Sequence, residues 1–274
     1  GAGFLKNGFS HVFVVPSEGG TPSQLTEGNF NHGGQLSWSP DGRRIIFAAN
    51  RNDNFEINLD GSDIWSVDLE SNVLTQLVNR AGPDFSPFYA PDGKHIAFRG
   101  MPDNRNAHRH ADIFVLDVNS GDLQMIEEDL NRHFSKALWR GNQALMVSYN
   151  DRGHTVLAEL SLAGELRTIT DRVGGTGIGR PYTSGSFSVA DTGAFAFNYS
   201  RPDRPADVGF GRESKLVGVL TDLNNVARCY PTECSTFVDG LDAVNPTIEV
   251  TATSIWAGYE RHASLRQLAV MLAV

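Results

Sequence analysis

Apolar and polar positions alternate along most of this chain in short runs, and each run stops at a turn signal instead of continuing as a helical stripe. One phrase recurs. Leu36-Ser37-Trp38 enters Ser39-Pro40-Asp41-Gly42 and leaves as Arg43-Arg44-Ile45-Ile46-Phe47. Pro87-Phe88-Tyr89 enters Ala90-Pro91-Asp92-Gly93 and leaves as Lys94-His95-Ile96-Ala97-Phe98, 51 residues further on. A weaker copy centres on Ala190-Asp191-Thr192-Gly193, and a degenerate one runs from Ala137 through Trp139 and Gly141 to Val147. In each strong copy Pro presets φ, Asp caps the turn with its side chain and Gly accepts a positive φ. The pattern predicts a β-hairpin.

A second hairpin follows each of the first ones. Asp63-Ile64-Trp65-Ser66-Val67-Asp68 turns into Val73-Leu74-Thr75-Gln76, and Asp112-Ile113-Phe114-Val115-Leu116-Asp117 turns into Asp122-Leu123-Gln124-Met125. Two hairpins per period make a four-stranded antiparallel unit, the building block of a propeller. The expected fold is therefore an all-β propeller over residues 1–225, with about four to five blades' worth of sequence, open or incomplete as a ring. Residues 11–28 supply only the outer half of a blade, and residues 247–253 are one source for a missing strand. Residues 50–62, 101–111 and 198–214 are expected as insertions between second and third strands, with Lys215-Leu216-Val217-Gly218-Val219-Leu220 as the third strand of the last blade. Residues 226–274 form an irregular segment, ending in a short helix predicted over 259–274 from Leu265, Leu268, Ala269 and Leu272 at 3–4 spacing.

Composition narrows the partners. The 274 residues carry a formal net charge of −9, which argues against nucleic acid and anionic membranes. No apolar stretch is long enough to cross a bilayer as a helix, and no leader is visible. The expected compartment is the cytoplasm, or the periplasm if a leader has been removed. Cys229 and Cys234 lack further ligands in spacing for a zinc site, so free thiols or an incidental pair are favoured.

The repeats resemble the Trp-Ser-Pro-Asp-Gly class of propellers, found in TolB-like proteins and in the N-terminal domains of the prolyl oligopeptidase family of serine peptidases. Ser62 to Leu69, Ser200 to Val208 and Leu220 to Asn224 are similar to the acylaminoacyl-peptidase and dipeptidyl-peptidase branch. That resemblance implies a propeller that gates or screens substrate for a hydrolase domain. The sequence itself contains no Gly-x-Ser-x-Gly nucleophile elbow, so no catalytic residue is assigned and the chain is expected not to be an enzyme.

Three sets of residues remain as candidate chemistry. Arg180, Arg201 and Arg204 are candidates for binding peptide carboxylates through a guanidinium fork, with surface salt bridges as the plainer reading. His108 and His110 lie in one loop, followed by Asp112, and the three are candidates for a metal, against a solvated polar loop. Asn52-Asp53-Asn54-Phe55-Glu56 with Asp60 and Asp63 is acidic, but its spacing misses the calcium-loop pattern. No cofactor is expected. The expected partner is a peptide or protein, including a hydrolase domain, with a homo-oligomer through the C-terminal segment as a further expectation. A stand-alone TolB-like binding propeller and a His/metal-dependent propeller enzyme are the rival functions.

Overall fold

A computed structural model describes residues 8–103, 109–126, 130–174, 185–201, 204–222 and 267–273. The chain divides into two compact units, residues 1–134 with 264–274, and residues 135–263.

In the first unit, β1 (Ser10–Pro16) and β2 (Ser23–Gln24) form a hairpin. Two complete blades follow. One contains β3 (His32–Trp38), β4 (Arg44–Ala49), β5 (Asp63–Asp68) and β6 (Leu74–Gln76). The other contains β7 (Asp84–Tyr89), β8 (His95–Gly100), β9 (Asp112–Asp117) and β10 (Leu123–Met125). Both are antiparallel throughout.

The Pro-Asp-Gly turns form as the sequence dictates. Asp41 Oδ1 accepts from the Arg43 N–H at 3.1 Å and from Ser39 Oγ at 2.6 Å, while Gly42 sits at φ 70°. These bonds to the ionised carboxylate hold the Asp41 pKa below its usual range. In the second copy Asp92 Oδ1 accepts from the Lys94 N–H at 2.9 Å, and Gly93 again has φ 70°.

Strand alternation then assigns side chains to two faces. Ile45 and Phe47 pack with Val12, Val14, Leu25 and Val67, whereas Ile46 between them packs with Ile64, Ile96, Phe98 and Leu116. Each blade thus contributes to a layer on either side. Trp38 and Trp65 pack against the first of these clusters, and Trp65 Nε1 donates to the Ala49 carbonyl at 3.2 Å. Burying each large apolar side chain is worth roughly 1.5–3 kcal/mol.

The second unit holds two further blades in one continuous sheet. The first is β11 (Phe134–Arg140), β12 (Ala144–Asp151), β13 (His154–Ser161) and β14 (Leu166–Val173). The second is β15 (Phe187–Val189), β16 (Phe195–Arg201), β17 (Arg204–Arg212) and β18 (Lys215–Val219), joined to β14 at Val173 and Tyr199. Met146, Leu157, Val173, Phe187, Phe195 and Phe197 form the core between them.

Two expectations are corrected here. Residues 198–214 are not an insertion: β17 pairs antiparallel with β16 as the third strand, and Lys215–Val219 is the fourth. The pattern was obscured by Gly209 and Gly211. A Cβ at either position would collide with the Phe197 or Phe195 ring lying across it, so the strand must carry glycine where an apolar side chain would have marked it.

The predicted C-terminal helix is replaced over Gln267–Ala273 by a strand, β19, which pairs antiparallel with β1 along Ser10 to Pro16. A continuous apolar run suits a buried strand as well as a helix, and only the open edge of β1 distinguishes them. The remaining part of that helix, the 247–253 segment and both cysteines lie outside the described residues. Among the described residues no helix is long and apolar enough to cross a membrane.

Candidate functional site

β16 ends at Arg201 and β17 starts at Arg204, and the two residues stand opposite each other in register. Arg201 lines a cleft of about 310 Å³ with Tyr199, Asp207, Val219, Thr221 and Asp222. The floor is built by hydrogen bonds. Thr221 Oγ1 accepts from the Val208 N–H at 2.9 Å and donates to Asp207 Oδ1 at 2.8 Å, which fixes a carboxylate that is 4% exposed. Tyr199 is positioned from behind by Phe197, with ring centroids 6.2 Å apart. The cleft is thus lined by Arg201, Asp207 and Asp222, each already engaged in polar or ionic contacts, with apolar walls from Tyr199 and Val219. A guanidinium can hold a carboxylate through paired N–H donors, while the two neighbouring acids oppose any anion brought into the cleft.

A second polar cluster lies in the first unit, where the starts of β5, β7 and β9 meet the β6–β7 connection. Arg80 Nη2 stands 2.5 Å from Asp84 Oδ1, and the Asp84 side chain is wholly buried. Burial pushes the Asp84 carboxyl up to about 7, against the pull of Arg80. Gly100 leaves the room that this pair occupies, since a Cβ there would strike the Arg80 guanidinium and the Asp84 carboxylate. Arg80 also donates to the Ala81 carbonyl at 2.9 Å and the Met101 carbonyl at 3.1 Å, and it covers the Phe114 ring at 4.2 Å. Asp63 is raised by burial and accepts from Gln76 Nε2 at 2.9 Å. The arrangement is a packed polar cluster in which burial favours the neutral form of Asp84.

Of the predicted metal set, His108 lies outside the described residues. His110 is exposed, and Asp112 opens β9 half-buried, its carboxyl raised by burial and drawn down by His110. Among the described residues no three potential metal ligands gather. The acidic loop is held by its own amides: Asn50 Nδ2 donates to the Asn58 carbonyl at 2.6 Å and Asn52 Nδ2 to the Gly61 carbonyl at 2.9 Å. Asp60 is engaged by Arg109. Of the predicted binding set, Arg201 reaches the cleft, the backbone of Arg204 is beside it, and Arg180 lies outside the described residues. Asp207, Thr221 and Asp222 lie in the family-like segments Ser200 to Val208 and Leu220 to Asn224 but are not among the predicted site residues, and they meet Arg201 because β16, β17 and the end of β18 are neighbours.

Residues 3–99 match the family described as the dipeptidyl peptidase IV N-terminal region. An uncharacterized protein of Agrobacterium fabrum is 28% identical over 184 residues, covering 63% of this chain and 57% of that protein. Dipeptidyl-peptidase 5 of Porphyromonas gingivalis is 27% identical over 139 residues, covering 49% of this chain and 20% of that enzyme. The chain thus spans only part of the relatives it matches.

Among solved structures, the β-propeller domain of the Trilobed protease from Pyrococcus furiosus aligns with TM-score 0.52 and 14% identity, over 77% of this chain and 64% of that one. Oligogalacturonate lyase from Vibrio parahaemolyticus aligns with TM-score 0.56 and 12% identity, over 78% and 60%. TolB from Acinetobacter baumannii aligns with TM-score 0.50 and 18% identity, over 71% and 44%. These three establish likeness of fold. With the family match they make the chain similar to the propellers of the prolyl oligopeptidase family and of TolB.

Proposed function

We propose that this chain is a non-catalytic propeller module that captures peptides and presents them to a hydrolase partner. The observation that carries this reading is the match of residues 3–99 to the dipeptidyl peptidase IV N-terminal region, which spans both strong Pro-Asp-Gly repeats. The sequence offers no Gly-x-Ser-x-Gly elbow on which acyl transfer would depend.

The binding role falls to the Arg201 cleft. A peptide's C-terminal carboxylate exchanges for the contacts that Arg201 already makes, and its last side chain lies against Tyr199 and Val219. Asp207 and Asp222 repel acidic residues next to that end, so neutral or basic peptides are preferred.

The non-catalytic half of the proposal is tested by incubating the chain with a fluorophosphonate and with chromogenic dipeptide and acyl-peptide substrates. Unmodified intact mass and no turnover are expected. A single phosphonylated serine, or hydrolysis that follows the purified chain, overturns it.

A further inference from the structure

In the first unit, one wholly buried histidine seats the root of the β4–β5 connection. His32 opens β3. Its Nδ1 stands 3.3 Å from the Ser10 carbonyl oxygen on β1, and its Nε2 meets Nη1 of Arg51. A carbonyl oxygen requires a donor and a guanidinium requires an acceptor. The two neighbours therefore select the neutral tautomer with its proton on Nδ1, and the Nε2 lone pair receives Arg51.

Arg51 in turn anchors the connection. Its guanidinium lies over the Phe30 ring at 4.8 Å and the Trp65 ring at 5.4 Å, and Nη1 donates to the Glu27 carbonyl at 3.3 Å. Further along the connection, Phe55 packs edge-on against Phe30 and Phe9, with centroids 5.5 and 6.2 Å apart. Among the described residues, two titratable or charged groups face the His32 ring. One is Arg51, and the other is His11 of β1, whose ring lies 5.2 Å away. β4 presents the Phe47 ring, at 5.7 Å. The Ser10 and Phe30 carbonyls favour a charged ring, but neither carries a full negative charge to balance a second cation.

We propose that His32 is an acid-operated latch: a proton taken from solvent at Nε2 turns the acceptor into a donor, expels Arg51 and frees residues 51–59. Two N–H groups then point at each other and two cations share one buried site. Arg51 is the partly exposed member of the pair, so it is the one that leaves for water. Burial and the Arg51 charge lower the His32 pKa from 6.5 to about 4, so the latch is closed at neutral pH and opens in acid. The far end of the connection is tied by Arg109 to Asp60 without any histidine, so the opening is local. The latch uses no residue of the Arg201 cleft and holds whatever that cleft binds.

Hydrogen–deuterium exchange read by peptide mass, at pH values from 7 to 4 and corrected for the intrinsic pH dependence of exchange, tests it. Protection of residues 51–59 is expected to be constant above pH 6.5 and to fall by about tenfold per pH unit toward 4, while β4 and β5 keep theirs. His32→Gln retains an acceptor for Arg51 and takes no charge, so its protection over 51–59 is expected not to change with pH. Arg51→Met removes the anchor, and its connection is expected to be poorly protected already at pH 7. Protection over 51–59 that is flat in the native chain, that falls equally in β4 and β5, or that still falls in His32→Gln would overturn the proposal. So would an Arg51→Met chain as well protected at pH 7 as the native one.

Discussion

His32 and Asp84 occupy the same position in successive blades, and burial drives their titrations in opposite directions. Each opens its blade's first strand, His32 pairing with Ala49 and Asp84 with Gly100, and both are 0% exposed. Burial, reinforced by the Arg51 guanidinium against its ring, lowers His32 from 6.5 to about 4. Burial raises Asp84 from 3.8 to about 7.

The signs follow from which form the fold prefers. Neutral His32 contributes stability that is complete above pH 6.5 and is lost as pH falls toward about 4. Protonated Asp84 contributes stability that is complete below pH 3.8 and is lost as pH rises toward about 7. Asp63 and Asp112, also raised by burial, act in the same direction as Asp84. The opposing slopes offset each other in the native chain. In Asp84→Asn the stability is expected to rise between pH 4 and 6.5, and in His32→Gln to fall, each by on the order of 2 kcal/mol relative to the native profile. Urea unfolding at several pH values reads this directly.

Gly209 is required by a ring and not by a turn. Its missing Cβ makes room for Phe197, whereas nothing lies within 4 Å of a Cβ at Gly218 on the neighbouring strand. Gly209→Ala should therefore cost about 1–3 kcal/mol through overpacking, while Gly218→Ala should stay within about 0.5 kcal/mol. Thermal or denaturant unfolding of the pair of variants checks the contrast. Equal effects would show that the Phe197 ring yields.

Arg109 holds Asp60 by two hydrogen bonds, at 2.9 and 3.0 Å, and so ties the β8–β9 connection to the β4–β5 connection. Phe55 and Leu59 on the latter are chymotrypsin sites once it opens, and Leu59 is already 79% exposed. Arg109→Ala and Asp60→Asn should each speed cleavage at residues 55–59. The double variant should be no faster than either single, because both remove one clamp.

The repeat made most of the fold legible. Pro40-Asp41-Gly42 and Pro91-Asp92-Gly93 act locally, through a preset φ and a carboxylate cap, so sequence alone locates their hairpins and the blades built on them. Non-local effects were not legible. Gly209 and Gly211 make sense only beneath Phe197 and Phe195. The strand character of Gln267–Ala273 depends on an edge more than 250 residues away, at Ser10 to Pro16. Arg201 is a sequence candidate for peptide carboxylates, but its cleft depends on the pairing of β16, β17 and β18, which places Asp207 and Thr221 beside it. The Arg80–Asp84 pair was likewise invisible, because an arginine in a connection and an aspartate at a strand start carry no pattern until packing buries them.

Calorimetric titration of a short peptide with a free C-terminal carboxylate, beside its C-terminal amide, reads capture at Arg201. The acid is expected to bind, and amidation to weaken it by about tenfold or more. Arg201→Ala should bring the acid down to the level of the amide. Equal affinity for acid and amide, or binding of the acid that survives Arg201→Ala, would contradict it.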